Sequence, residues 1–247
     1  MNHEGNESQS TSSRPAKTRT ALGCLIVVLV CVAGTYFGLG ELRSRSRAAS
    51  CPNDVWHVYD ALKNYAESHD GAVPPISDIR GNLIIDPAGF YPEYLDNSCW
   101  VQCEYSPARR PPEVSDKNDD LGVAAFNDDS FCYLPWAIRS EEEGLAFIDA
   151  YKTLDLEKRD EDLVVTIDGE QRVLPRIKLT NEALQESGGD RKVPILVEWP
   201  GLNHRGGTVC YLDGTRSVVT LGSEFPKTDA FISGLRAIAS LDHPVPE

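Results

Sequence analysis

The 247-residue chain contains no Gly-x-Ser-x-Gly, no His-Glu-x-x-His and no glycine-rich phosphate-cradling loop. The commonest sequence signals of a serine hydrolase, a zinc peptidase and a nucleotide-binding fold are therefore missing. Its five histidines and seven cysteines never fall into metal-ligand spacing, and Cys99 with Cys103 has no second Cys/His pair to complete a zinc site. The sequence thus points to no catalytic residue, no metal ligand and no cofactor. Positive charge is also scarce: 24 Lys/Arg stand against 38 Asp/Glu, a net charge of -14. Residues 1–47 hold six Lys/Arg against three Asp/Glu, which leaves -17 on the remainder. A field of that sign repels nucleic acid and anionic lipid head groups, so neither is expected to bind the body of the chain.

Charge is absent altogether from Ala21 to Gly40, a run that is almost wholly apolar. About twenty helical residues cover the ~30 Å hydrocarbon core of a bilayer, so residues 21–40 read as one transmembrane helix. The run is longer than the roughly 7 to 15 residues of a signal-peptide core. A charged segment with Arg43, Arg45 and Arg47 follows it, which favours a retained anchor over a cleaved leader. Arg14, Lys17 and Arg19 precede the run, so the flanking charges nearly balance and do not orient it. A lipid-attachment cysteine is not favoured: Cys24 opens the apolar run and Cys51 lies beyond the arginines. Residues 1–20, rich in Ser, Thr, Asn and Glu without an apolar period, read as a disordered tail, and 41–51 as a linker.

The remaining segment, 52–242 with a short tail at 243–247, is long enough for one domain with a real core. Val55, Val58, Tyr59, Leu62, Tyr65 and Ala66 recur at helical spacing and predict a helix over 52–69, stopped by Gly71 and Pro74-Pro75. Residues 76–129 read mostly as loop, with a short strand near Trp100–Glu104. Asp116, Asn118 and Asp120 mimic the start of a calcium loop, but Leu121 and Asn127 occupy the positions that need Gly and Glu. A strand over Ser130–Trp136 precedes a helix opened by a Ser140/Glu143 capping box, with Leu145, Ile148 and Tyr151 on it. Leu163–Ile167, Asp168-Gly169 and Arg172–Leu174 predict a hairpin. Thr180 is placed to cap a short helix ending at Gly188-Gly189. Strands follow at Val193–Glu198 and Gly207–Leu212, and Asp213-Gly214 turns into Ser217–Leu221. A last helix from about Thr228 carries Phe231, Ile232, Leu235 and Ile238 on one face. The order predicts an α+β body around an antiparallel sheet. Five cysteines fall in it, Cys51, Cys99, Cys103, Cys132 and Cys210, and an odd number leaves the pairing open.

Three stretches carry a resemblance. Cys51-Pro52 leads into Ala61-Leu62, Tyr65 and His69-Asp70-Gly71 with Pro74-Pro75. This resembles the post-anchor stem of prepilin-like proteins related to the major pseudopilin of bacterial type II secretion. Near the other end, His204, Gly206-Gly207 and Asp213-Gly214 are similar to the C-terminal signature of a large prepilin-type group, in which a His and a Gly-Gly precede a strand ending in Asp-Gly. Tyr91–Leu95 and Ser140–Gly144 extend the likeness. The resemblance implies a pilin-like stem helix and sheet, a cytoplasmic N-terminus, an extracytoplasmic body, and partners that are other pilin-like or secretion-apparatus proteins. It also marks Gly23-Cys24 as the place of a processing site. There Cys24 replaces the usual aromatic or Met, Val28 replaces the usual Glu, and the His-to-Asp-Gly gap is eight residues where nine is usual. A retained anchor on a non-catalytic envelope protein fits these departures better than a polymerising subunit.

His204 and Asp213 are the pair that a membrane-tethered extracytoplasmic enzyme would use as base and orienter. The same residues suit a tight hairpin and the loop entering its strand, which is the reading adopted. His57, His69, Trp56, Tyr59 and Tyr65 read as surface or packing residues, and an acidic binding surface over Asp116–Asp129 is the third alternative.

Overall fold

The computed structural model describes residues 55–101, 126, 130–180, 193–199 and 206–239. All of them belong to one compact unit, Arg47–Glu247. The expected span at 21–40, the possible processing site at Gly23-Cys24, His204, the calcium-like stretch and the helix proposed after Thr180 lie outside the described residues. Among the described residues no helix is long and apolar enough to cross a membrane.

Helix α1 occupies residues 55–68. Its buried stripe is Val55, Val58, Tyr59, Leu62 and Ala66, the periodicity of one helix face. The helix stops where predicted. Asp70 and Gly71 turn left-handed, at φ 53° and 81°, and the Gly71 amide donates to Ala66 O at 2.8 Å. A Cβ on Gly71 would meet Thr180 Cγ2 at 2.2 Å, so close approach and backbone conformation both demand glycine there.

The main sheet has four antiparallel strands, β1 (Phe131–Tyr133), β4 (Pro194–Glu198), β5 (Gly206–Tyr211) and β6 (Arg216–Thr220), in the spatial order β1-β4-β5-β6. Between β1 and β4 in sequence come helix α2 (Glu141–Lys152) and a separate hairpin of β2 (Leu163–Ile167) and β3 (Glu170–Leu174). Helix α3 (Asp229–Ala239) closes the domain. Every residue of β4 is buried, which explains its unbroken apolar run: a central strand covered on both faces has no solvent side to alternate toward. β2 alternates buried and exposed, so it is covered on one face only.

Helix α2 packs against β2 and against α3. Glycines set the α2–α3 approach: a Cβ on Gly144 would lie 2.7 Å from Phe231, and one on Gly234 would lie 2.2 Å from Ile148. The predicted face of α3 is the observed one, with Phe231, Ile232, Leu235 and Ile238 buried. The α2 cap is half the predicted box. Ser140 Oγ accepts from the Glu143 amide at 3.2 Å, but Glu143 Oε2 takes the Arg139 amide, at 2.6 Å, one residue outside the usual partner.

Some expectations are corrected. Trp100 and Val101, expected to open a strand, belong instead to a 3-10 turn over Ser98–Val101, closed by Trp100 N donating to Asn97 O, with the Trp100 ring stacked on His57 at 4.1 Å; the rest of that expected strand, 102–104, lies outside the described residues. The strand expected over 130–136 shrinks to three residues because Pro135 follows closely and cannot donate to a ladder. Trp56 and Leu145 are partly exposed, at 44% and 39%, and are not packing residues; the buried face of α2 runs through Gly144, Phe147, Ile148 and Tyr151.

Candidate functional site

The Asp213-Gly214 turn joins β5 to β6, and its residues serve the turn itself. The Tyr211 amide donates to Thr215 O and the Gly214 amide to Tyr211 O, both at 2.9 Å. Gly214 sits at φ +79°, which closes so tight a bend. Asp213 Oδ1 accepts from the Thr215 amide at 2.9 Å and from the Thr215 hydroxyl at 2.6 Å. The turn is docked on α1: Tyr59 OH donates to Leu212 O at 2.9 Å, and a Cβ on Gly214 would come within 2.8 Å of the Tyr59 ring. Burial raises the Tyr59 phenol above its ordinary value, and the thiol of Cys210 and carboxylate of Asp213 push the same way, so the phenol stays a donor.

Gly207 lies at a second sealed contact. Lys227, in the connection from β6 to α3, is fully buried, and its ammonium donates to Glu198 O. A Cβ on Gly207 would stand 2.5 Å from that Nζ and 3.0 Å from Glu198 O, so glycine makes the room in which the lysine lies. The buried Glu198 carboxylate accepts the Thr208 amide at 2.7 Å. Burial pulls the Lys227 amine down to about 8, partly opposed by Glu198 and Cys132. Ser130 is also fully buried at this edge, its hydroxyl without a hydrogen-bond partner among the described residues and its carbonyl accepting from Trp199 N at 3.0 Å. Lys227, Glu198 and Ser130 are 0–1% exposed, so no substrate reaches them in this conformation. Their chemistry is that of a latch between sheet and α3 connection.

The far end of α1 borders an open cleft of about 980 Å³, lined among others by Tyr65, His69, Asp160, Asp162, Arg176 and Lys178. Tyr65 and His69 are stacked, ring centroids 3.8 Å apart, and His69 Nδ1 lies 2.8 Å from Tyr65 O. Arg176 is committed to the fold. Its Nη2 donates to Val73 O and Pro74 O at 3.0 and 2.9 Å, its backbone amide to Asp162 Oδ1 at 2.7 Å, and its guanidinium lies over Trp136. Burial lowers its ordinary value, and Tyr133, Asp160, Tyr65 and Asp162 oppose the shift. Among the described residues no group of three or more His, Cys, Asp or Glu is placed to hold a metal.

Of the signature residues, then, Gly207, Asp213 and Gly214 are placed at two contacts that hold the sheet to its flanking segments, Gly206 opens β5, and His204 is outside the described residues. Cys132 and Cys210 are both buried. They pair with adjacent β4 residues, Val197 and Leu196, so their side chains leave opposite faces of the sheet and cannot bond each other. Lys227 and Glu198 escaped the sequence reading, since a lysine in a polar connection and a glutamate ending an apolar run carry no burial signal. No family model matches the chain, and comparisons with curated proteins and with solved structures find no match either.

Proposed function

We propose that this is a membrane-anchored, pilin-like envelope protein that works by protein contact rather than catalysis, as a component or accessory of a secretion or surface-assembly apparatus. Residues 21–40 hold it in the membrane, the N-terminus faces the cytoplasm and the body lies outside it. The observation that carries the reading is the docking of the Asp213-Gly214 hairpin on α1 through Tyr59. The order of α1, antiparallel sheet and Asp213-Gly214 turn supports the reading of α1 as a stem helix and of the turn as the signature. The commitment of the Asp213 carboxylate to Thr215 favours a structural part for that residue over service as the orienter of a catalytic base. Crosslinking of the full chain in its native membranes, followed by solubilisation and immunoprecipitation, is expected to recover envelope-assembly proteins. Recovery of the chain alone contradicts the proposal.

A further inference from the structure

An edge strand exposes a row of unpaired backbone groups, and proteins commonly guard such edges with charge, proline, glycine or a covering segment. The edges differ here. β3 carries Glu170 and Arg172, β6 carries Arg216, and β1 is met by Leu83, whose carbonyl takes the Tyr133 amide at 2.7 Å. β2, Leu-Val-Val-Thr-Ile, has no charge, proline or glycine, and among the described residues only β3 pairs with it.

The register shows which backbone groups are left over. Asp168 and Gly169, at φ 52° and 81°, form a two-residue turn, so its flanking residues Ile167 and Glu170 are a hydrogen-bonded pair. Alternation then makes Val165–Arg172 and Leu163–Leu174 hydrogen-bonded, while Val164–Val173 and Thr166–Gln171 are not. The N–H and C=O groups of Val164 and Thr166 therefore point away from β3, at the open edge. Beside that edge runs a groove of about 510 Å³, lined by residues 163–166 and by Ala146, Ala150 and Leu154 on the α2 side, with Asp149 and Asp155 also lining it. The two alanines leave space where larger side chains would fill it. Among the described residues Asp149 meets Lys152 alone as an ion-pair partner, an exposed contact at 2.8 Å and a pairing of little strength. Val164 and Val173, opposite each other, are 54% and 58% exposed and give an added strand an apolar neighbour.

We propose that the open edge of β2 is a peptide-docking site, which takes an extended segment of another protein, bearing alternate apolar and Lys or Arg side chains, as an added strand. Main-chain bonds to Val164 and Thr166 supply the affinity, and the carboxylates of Asp149 and Asp155 select basic over acidic segments. A second copy of this chain is the poorer occupant, because its net charge of -14 repels its like. This site does not rest on the assembly reading above.

The test uses the full chain in detergent and two labelled synthetic peptides, one alternating valine and lysine, the other valine and glutamate. The lysine peptide is expected to bind saturably and at least about tenfold tighter. On binding it slows amide hydrogen exchange at Val164 and Thr166 and not in β6. Thr166→Pro, which removes one outward N–H from an edge strand, is expected to abolish that binding. Equal binding of the two peptides overturns the proposal. So does lysine-peptide binding that leaves exchange at Val164 and Thr166 unchanged, which marks mere attraction to an acidic protein. The exchange measurement on the unmodified chain decides the matter even where Thr166→Pro unfolds the hairpin.

Discussion

Gly214→Ala is expected to cost about 3 kcal/mol of unfolding free energy, and Gly169→Ala only about 1–2 kcal/mol. The two glycines have nearly the same backbone, φ +79° and +81°, and both close Asp-Gly turns. They differ in surroundings. A Cβ on Gly169 meets nothing within 4 Å, whereas one on Gly214 runs into the Tyr59 ring at 2.8 Å. Both variants bear the left-handed strain, but only Gly214→Ala displaces the Tyr59 hydroxyl from Leu212 O. The difference between the two therefore measures the docking of the β5–β6 turn on α1. Urea unfolding of the full chain in detergent reads it. Equal costs would mean that the turn is a turn and nothing more.

Lys227 gives the second large effect, in the pH dependence of stability. Its amine titrates near 8 in the folded protein against 10.5 ordinarily, because burial disfavours the ammonium. Below about pH 8 both folded and unfolded chains bind the proton, and the penalty is fully present. Between about 8 and 10.5 the folded chain has released it and the unfolded chain has not, so stability rises with pH. Other groups act oppositely. Burial pushes the Cys210 thiol up to about 12, and Tyr59 and Tyr133 are raised too, so these cost stability as the unfolded chain deprotonates. They are present in both the native protein and Lys227→Met and cancel in the difference. The stability of the native protein minus that of Lys227→Met is expected to climb by roughly 3 kcal/mol between pH 7 and 11. A flat difference means that the amine is hydrated and the latch is not sealed.

What the sequence made legible was local. The period of α3, the unbroken run of β4, the Asp-Gly turn of the β2–β3 hairpin and the left-handed stop at Gly71 each follow from neighbours within a few residues, and each is observed. What was hidden depends on distant partners. Tyr59 finds Leu212 across 153 residues of chain, and Lys227 finds Glu198 across 29. No pattern near Lys227 marks it as buried, because the space it fills is made by Gly207, twenty residues away on β5. Trp100 sits in an apolar stretch that reads as a strand, yet its stacking on His57 accompanies a single 3-10 turn. Asp213-Gly214 was legible as a turn but not as a contact. The open edge of β2 follows from topology alone, since the same five residues would alternate identically between two neighbours.

The proposed tether through residues 21–40, with the body outside the cytoplasm, has a direct consequence for where the chain is found in the cell. Fractionation of cells expressing the full chain, with alkaline extraction and protease added to spheroplasts, tests it most directly. An intact chain that stays with the membrane through extraction and loses its body to external protease is expected. Full-length protein in the soluble fraction, or a body that protease reaches only after lysis, contradicts it.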